Sequence, residues 1–250
     1  MTKTATEPSL FDVMSSCRSM RRLGPEPVPE EMLVKLVEAG TKGPTAANAQ
    51  NWRFVVVRDR EVLGRIAKPW RRGIALMDEL ARRAPPRPAE DIESRRRTMK
   101  AVNYLAEHLE EVPALICVCI ERDALGEAEA RRPATLRASI RHLGLWGTLR
   151  LGRRARRNAE QELWGTAYPA AQNILLAARA LGLGAAMTVP KVLAPPRTYE
   201  KILGLPKHVL LAAIIPVGYP LGRFGPVARQ PVESFLSWDR YSPRPQSSVG

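Results

Sequence analysis

Two short polar segments near the N-terminus carry residues suited to holding a charged ligand. The first, Cys17–Arg22, contains three arginines directly after a predicted helix. Guanidinium groups form forked hydrogen bonds to phosphate oxygens, so this cluster suits a phosphate-bearing ligand. The second, Pro44–Trp52, supplies hydrogen-bonding groups on Thr45, Asn48 and Gln50. Solvated arginines and polar turns also occur without any ligand, so neither segment alone identifies a site.

The thiols and histidines point away from metal chemistry. The chain has three cysteines, Cys17, Cys117 and Cys119, and three histidines. Because no histidine lies at a ligand-like spacing from the others, we expect no metal site. Cys117 and Cys119 share one face of a predicted buried strand, where a bridge at that spacing is strained. The sequence therefore predicts buried, free thiols.

The hydrophobic pattern predicts one domain over residues 1–250, in which helices surround a few strands. Apolar residues make up 45% of the chain, enough for a core. The run 114–120 is apolar throughout, which is typical of a strand covered on both faces. Pro169 is expected in the first turn of its helix. Helices are predicted over 10–16, 29–39, 62–82, 94–110, 166–181 and 196–203, and strands over 52–57, 114–120, 185–189 and 209–217.

This interleaving of helices and strands predicts an α+β fold or an α/β sandwich around a mixed sheet. Two segments depart from it. A basic helical excursion is predicted over residues 122–160, and its part 131–157 holds nine arginines and no acid. We expect its apolar face to pack on the core, with contact to an anionic membrane or substrate as the alternative. The sequence of residues 219–250 predicts an extended C-terminal arm.

Net charge raises the question of an anionic partner. The formal charge is +14, which would suit nucleic acid or an anionic membrane. Arginine accounts for 31 of the 39 basic residues, and no aromatic-and-basic stacking motif accompanies them, which disfavours a nucleic-acid role. No stretch approaches the roughly 20 apolar residues of a membrane span, and the N-terminus lacks a signal-peptide pattern. We expect a cytoplasmic protein.

Six motifs, taken in chain order, resemble the nitroreductase family of FMN-dependent oxidoreductases. They are the segment Cys17–Arg21, the turn Pro44–Trp52, the strand Arg53–Val57, the helix and turn Ala171–Gly184, the strand end Gly218–Pro220, and the tail Arg229–Glu233 with Trp238–Asp239. The resemblance implies a nitroreductase-like α+β fold with a central mixed sheet flanked by helices. It also implies a homodimer with shared active sites and a swapped or extended C-terminal arm.

The same resemblance implies roles for particular residues. Those that would contact the FMN phosphate, ribityl chain or pyrimidine edge are Arg18, Ser19 and Arg21, with Arg229 reaching the phosphate from the tail. The stretch whose backbone amides would face the flavin ring is Met187, Thr188 and Val189. The cofactor-binding turn, which would approach from the partner subunit, comprises Pro44, Thr45, Ala46, Asn48 and Gln50. No catalytic acid or base is implied, since hydride would pass between nicotinamide C4 and flavin N5.

The implied activity is ping-pong transfer of reducing equivalents from NAD(P)H, through FMN, to a nitroaromatic, quinone or similar small acceptor. The sequence does not choose between NADH and NADPH. Because one fold hosts several chemistries, specialised enzymes of the same fold stay open: dehalogenases, flavin-fragmenting enzymes and biosynthetic dehydrogenases. A non-enzymatic basic protein that associates with anionic membrane or nucleic acid is a further alternative.

Two positions depart from the family pattern. Cys17 stands where many relatives have the first arginine, and Asn51 replaces the proline before the tryptophan. The change at Cys17 removes one positive charge that would bind the phosphate, and Arg22 or Arg223 would compensate for that loss. Cys17 is either a reactive thiol or, the favoured interpretation, a packed thiol at a helix end. The segment 131–157 falls where relatives carry a variable helical roof over the flavin, so we expect it to determine the substrate.

Overall fold

The structure, a computed structural model, describes residues 8–85, 91–122, 132–190 and 194–241, and for residues 151, 154–160 and 162 it gives the backbone alone. Short 3-10 turns cover 46–48, 109–111 and 232–234. The helices and strands of these ranges are α1 (Leu10–Ser16), α2 (Glu30–Gly40), β1 (Trp52–Val57), α3 (Arg60–Arg83), α4 (Ile92–Glu107), β2 (Ala114–Glu121), α5 (Pro133–Ala180), β3 (Gly184–Ala185), α6 (Thr198–Ile202) and β4 (Val209–Gly218).

The helix starts follow from side-chain caps that the sequence provides. Ser9, Asp59 and Asp91 each accept a hydrogen bond from a backbone amide in the first turn of α1, α3 and α4. Such caps satisfy amides that have no partner within the helix. The predicted α1 and β1 have the observed bounds, and the other elements except α5 differ by a few residues at their ends.

The four strands form one sheet in the order β1-β2-β4-β3. The α+β class, with helices flanking a central sheet, is confirmed. The mixed strand directions that we expected are not seen among the described strands, where every pairing is antiparallel. Between β1 and β2 the chain re-enters the sheet at the end it left, as Val57 opposite Leu115 shows. β2 and β3 run in the same direction, but β4 lies between them, so they do not pair with each other.

Strand β2 separates two hydrophobic layers, as its apolar run predicted. Leu115, Cys117 and Cys119 face a layer built with α3, α4 and α6. The alternate residues, Ile116 among them, face a layer built with α2 and α5. Both thiols are free and fully buried. Burial raises the pKa of Cys119 to about 12 and raises that of Cys117 as well, so both stay protonated.

Helix α5 is much longer than the sequence predicted. It begins at Pro133 and continues to Ala180, with a break at Gly144, where φ is 69°. Pro169 therefore lies in the interior of a helix and not in the first turn of one that begins at Thr166. The proline has no N–H to bond the carbonyl of Gly165, but Gly165 is exposed, so water can satisfy that carbonyl.

The arginine-rich part of α5, residues 133–153, does not pack its apolar face on the core of its own chain, contrary to the expectation from the sequence. The large apolar side chains that the structure describes in this part are between 39% and 78% exposed, with Trp146 the most exposed. The buried residues of α5 belong to its C-terminal half, where Ala170 and Ile174 contact the sheet layer. A set of exposed apolar side chains of this kind is typical of a surface for interaction. Residues 123–131 of the predicted excursion lie outside the described ranges.

After β4 the chain forms an irregular arm. Its first residues pair with the segment after α1, through a bridge between Leu23 and Pro220. The amide of Val227 then donates to the carbonyl of Ser15 at 2.9 Å. Beyond that contact the large apolar side chains are exposed, including Trp238 at 80%. Residues 242–250 of the predicted arm lie outside the described ranges.

The described residues meet neither the requirement of a membrane span, helix length with apolar character, nor that of a metal site, clustered ligand side chains. None of their helices combines the length and the apolar character that crossing a membrane requires. No group of three or more histidine, cysteine, aspartate or glutamate side chains within the same ranges is arranged to hold a metal ion.

Candidate functional site

The arginine segment after α1 lies against the sheet edge formed by β3 and the end of β4. The amide of Met20 donates to the carbonyl of Ala185 at 2.9 Å. Gly184 permits this approach, since a Cβ there would lie 2.7 Å from Leu23 Cδ2 and 3.0 Å from Met20 Cβ. The contact places Arg21 beside the residues that follow β3.

A groove of about 220 Å³ opens beside this contact, and we call it the Arg21 groove. Arg21 and the stretch Met187–Val189, which the sequence analysis assigned to one cofactor, line it together. Its remaining walls come from the facing sides of α3 and α4. These wall residues are Trp70, Ile74, Met77, Val102 and Leu105.

Arg21 is the charged group of this groove. Its side chain is half-buried, and no hydrogen bond or ion pair joins its guanidinium to another residue of the described ranges. Burial lowers the pKa of Arg21 from its usual value. A cation that has lost part of its hydration without gaining a protein partner favours an anionic ligand.

The amides of Met187–Val189 divide into two sets. The amide of Thr188 donates to the carbonyl of Ile214 at 3.0 Å, and the amide of Ile214 donates back at 2.9 Å. The Thr188 amide is therefore used by the sheet and cannot face a ligand ring, contrary to the expectation for all three. Amide directions alternate along an extended chain, so those of Met187 and Val189 point away from β4. Neither has a backbone acceptor among the described residues.

Arg18 and Ser19 are exposed on the segment that leads to Arg21. The Arg18 guanidinium donates to the carbonyl of Arg223 at 3.0 Å, which brings the arm alongside this segment. Of the two arginines expected to compensate for Cys17, Arg223 has its backbone carbonyl beside the Arg18 guanidinium. Arg22 points elsewhere, with its guanidinium 4.8 Å from the centre of the Tyr104 ring.

Arg229 follows the contact between Val227 and the end of α1 by two residues. It is exposed, and its guanidinium donates to the carbonyl of its neighbour Ala228 at 2.8 Å. No contact joins it to the Arg21 groove among the described residues. Contact between Arg229 and a phosphate therefore stays a prediction.

Cys17 is a packed thiol at the end of α1. Its sulfur donates to the carbonyl of Leu175 on α5, with an Sγ–O distance of 3.6 Å. Burial raises the pKa of Cys17, and the nearby Arg179 guanidinium offsets only part of that effect. Of the two interpretations left by the sequence, the structure favours the packed thiol over the reactive one.

The predicted cofactor-binding turn does not line the Arg21 groove of its own chain. Gly43, just before it, packs on α5 at Ala170, whereas Cys17 contacts α5 at Leu175, about 7.5 Å further along the axis. The turn is exposed apart from Thr45, which is half-buried. Its predicted members are Pro44, Thr45, Ala46, Asn48 and Gln50.

The turn is held in a strained shape. Three of its residues have positive φ: Ala47 at 47°, Asn48 at 54° and Gln50 at 47°. Its base is fixed because the side-chain amide of Asn51 donates to the carbonyl of Glu121 at 3.0 Å. Strained backbone that the surroundings enforce is common where a protein meets a ligand or a partner.

The walls that α3 and α4 contribute to the groove were not predicted from the sequence. Trp70 and Ile74 belong to an apolar stripe on α3, and this spacing predicts a buried face. The spacing does not separate side chains that face the core from those that border a ligand groove. Met77, at the rim, is 42% exposed.

Comparison with known proteins identifies the class of this fold. The model of the nitroreductase family matches residues 15–219. The chain belongs to the nitroreductase family. The match includes both sides of the Arg21 groove and the strained turn, whereas Arg229 lies beyond it.

Three known proteins illustrate the range of nitroreductase-family members to which this chain is similar. An NADH dehydrogenase of Thermus thermophilus is 28% identical over 232 residues, which are 88% of this chain and 91% of that protein. An iodotyrosine deiodinase of Thermotoga neapolitana is 26% identical, over 84% of this chain and 88% of its own length. A solved iodotyrosine deiodinase, bound to FMN and 3-iodo-L-tyrosine, has a TM-score of 0.63 at 22% identity and covers 93% of this chain and all of its own.

Proposed function

We propose that the protein is an FMN-dependent oxidoreductase that passes reducing equivalents from NAD(P)H to a small organic acceptor such as a nitroaromatic compound or a quinone. Membership of the nitroreductase family supports the reaction type. One observation supports FMN as the cofactor. Arg21 is half-buried at a groove with apolar walls, and its guanidinium has no partner among the described residues.

The groups around the Arg21 groove fit the ring of FMN. The exposed Met77 and the half-buried Val102 offer apolar surface to a flat aromatic system. The amides of Met187 and Val189 are suited to donate to the polar edge of the ring. The Arg21 guanidinium is suited to the pyrimidine edge, where negative charge gathers.

The phosphate end of FMN fits the exposed basic residues next to the groove. Arg18 lies on the segment that enters it, and Arg223 lies beside Arg18. Ser19 would bond the ribityl chain between the ring and the phosphate, and Arg229 would reach the phosphate from the arm. Forked hydrogen bonds from arginine suit a phosphate better than a single ammonium does.

Bound FMN would supply the two-electron chemistry that links a nicotinamide to an organic acceptor. The protein's part is to bind and orient the reactants and to stabilise charge. Arg21 would hold the negative charge that develops at the groove, and the apolar walls would keep water from it. No side chain is proposed as an acid or base.

The proposal includes a homodimer with shared active sites. At about 220 Å³ the groove is smaller than the roughly 300–1,000 Å³ of ligand pockets in general, which supports a second surface that completes it. The strained turn of a second copy would supply that surface. The exposed apolar side chains of the arm, such as Phe235 and Trp238, would pack on the second copy.

The dimer is tested by sedimentation of the Phe235→Ser, Trp238→Ser double variant. We expect a shift towards monomer and weaker FMN binding in the same protein, because site and dimer share surfaces. Wild-type chain that sediments as a monomer while binding FMN at full stoichiometry would contradict the shared site.

The function itself is tested by the visible spectrum of the purified protein and by its reduction without oxygen. We expect a flavin band that NADH or NADPH bleaches, and recovery of the band when a nitroaromatic compound or a quinone is added. Colourless protein that FMN cannot reconstitute would contradict the proposal. Salt-sensitive binding to anionic lipid or DNA would then favour the non-enzymatic alternative.

Reductive dehalogenation is the second candidate, because relatives that cover more than four fifths of this chain are iodotyrosine deiodinases. The discriminating assay supplies reduced enzyme with either 3-iodo-L-tyrosine or a nitroaromatic compound and measures the release of iodide and the loss of the nitro group. Release of iodide at the faster rate would replace the first candidate by the second.

Two further statements belong to this proposal. The arginine-rich part of α5 would roof the active site of the dimer, since its apolar face is free in the single chain. Protection of residues 133–153 from a protease when substrate is added would support that role, and unchanged cleavage would oppose it. We also propose a cytoplasmic location, where reduced nicotinamide is available.

A further inference from the structure

A second cavity, of about 780 Å³, lies between α3 and α4. It is distinct from the Arg21 groove but shares its walls. Met77 borders the groove while Asp78 borders the cavity, and the same alternation holds for Val102 and Asn103 on α4. We call it the α3–α4 cavity.

The lining of the α3–α4 cavity is strongly basic. Five cations border it against two carboxylates, Asp78 and Glu107. Asp78 is already paired with Arg82 at 2.6 Å. No ion pair joins Arg22, Arg96 or Lys100 to another residue of the described ranges. Like charges that line a concave surface raise the local concentration of anions.

Arg22 connects this cavity to the proposed cofactor site. Its guanidinium lies 4.8 Å from the centre of the Tyr104 ring, and that ring stacks on His108 with 4.1 Å between centroids. The stack holds Arg22 at the cavity, whereas Arg21 lines the groove. Consecutive arginines thus line two neighbouring concave surfaces.

We propose that the α3–α4 cavity binds the phosphorylated adenosine end of the nicotinamide donor, with Arg96 and Lys100 holding its phosphate groups. The inference rests on the proposed function and extends it to the choice of donor. Arginine and lysine are the usual phosphate ligands, and an arginine is what accommodates a 2′-phosphate in NADP-binding proteins. Ile92 and Met99 give the cavity an apolar side for the base, and its volume suits a ligand of this size.

The test measures binding of 2′,5′-ADP, NADPH and NADH by calorimetry to the wild type and to the Arg96→Ala, Lys100→Ala double variant. We expect at least about 10-fold weaker binding of 2′,5′-ADP to the double variant. A loss confined to NADPH would assign the cations to the 2′-phosphate. An equal loss for NADPH and NADH would assign them to the pyrophosphate.

Arg97→Ala is the matched control, since Arg97 is on the same helix, is paired with Asp91 at 3.7 Å and does not line the cavity. Unchanged affinity in the double variant, or an equal loss in Arg97→Ala, would overturn the inference. Because 2′,5′-ADP has no nicotinamide, its binding does not depend on redox turnover. If the wild type binds FMN but the double variant binds 2′,5′-ADP as tightly as the wild type does, only the inference about the cavity is refuted. If the wild type does not bind FMN, the proposed function is refuted.

Discussion

The amide of Met20 donates to the carbonyl of Ala185 across 2.9 Å, and this one bond joins chain segments more than 160 residues apart. Arg21 follows Met20, and Met187–Val189 follow Ala185, so the bond brings the charged and the backbone groups of the groove together. The site therefore depends on how closely the segment after α1 can approach β3.

Gly184→Ala should disturb that approach. The new Cβ would lie 2.7 Å from Leu23 Cδ2 and 3.0 Å from Met20 Cβ, so the segment after α1 must move. We expect the free energy of unfolding to fall by about 1–3 kcal/mol, as for other overpacked sites. Chemical denaturation checks this, together with FMN titration of the folded variant, which should bind more weakly.

Gly165→Ala is the control for this substitution. A Cβ at Gly165 meets nothing within 4 Å, and the residue lies in α5 with ordinary helical φ. We expect it to raise stability by about 0.4–1 kcal/mol through the unfolded state. Equal effects from the two substitutions would contradict the close approach at β3.

The three thiols should react slowly in the native protein. Burial raises the pKa of Cys17, and Cys117 and Cys119 are fully buried, so little thiolate is available at pH 8. Ellman's reagent should find three reactive thiols per chain in denaturant and none in the first minutes without it. A fast native phase of one thiol that Cys17→Ser abolishes would show that Cys17 is reactive.

Stability should fall at alkaline pH through the buried thiols. Folding raises the pKa of Cys119 from 9.0 to about 12, so the unfolded chain releases this proton first. The stabilisation is fully present below pH 9 and is lost as the pH rises towards the folded pKa, at up to about 1.4 kcal/mol per pH unit.

Cys119→Ala isolates this contribution, because every other titrating group stays. Denaturant unfolding at several values between pH 9 and pH 10.5 should give a shallower decline for the variant than for the wild type, by about 1 kcal/mol per pH unit or slightly more. Parallel declines would mean that Cys119 ionises as readily in the folded protein as in the unfolded one.

Local pattern was sufficient for the elements whose environment is uniform. The apolar run through Ile116 and Cys117 predicted a strand covered on both faces, and the structure has one. Pro169 misled the prediction, because its lost hydrogen bond costs little where the carbonyl of Gly165 is exposed. The same pattern did not reveal that the apolar stripe of the arginine-rich part of α5 faces away from its own chain, since periodicity identifies a face but not what covers it.

The candidate site was predictable in part and for similar reasons. The residue types and their order indicated Arg21 and Met187–Val189, which the structure brings to one groove. Only the pairing of Thr188 with Ile214 reveals which amides are left free. Wall residues such as Trp70 resemble core residues in the sequence, because a groove wall and a core contact are equally apolar.

The central claim is that the Arg21 groove holds FMN, and an FMN titration tests it most directly. Apoprotein of the wild type, Arg21→Lys and Arg21→Met would be titrated with FMN while flavin fluorescence is followed. We predict one FMN per chain for the wild type, affinity lower by about 10-fold or more in Arg21→Met, and partial recovery in Arg21→Lys. Equal affinity of all three proteins, or no binding by the wild type, would contradict the account.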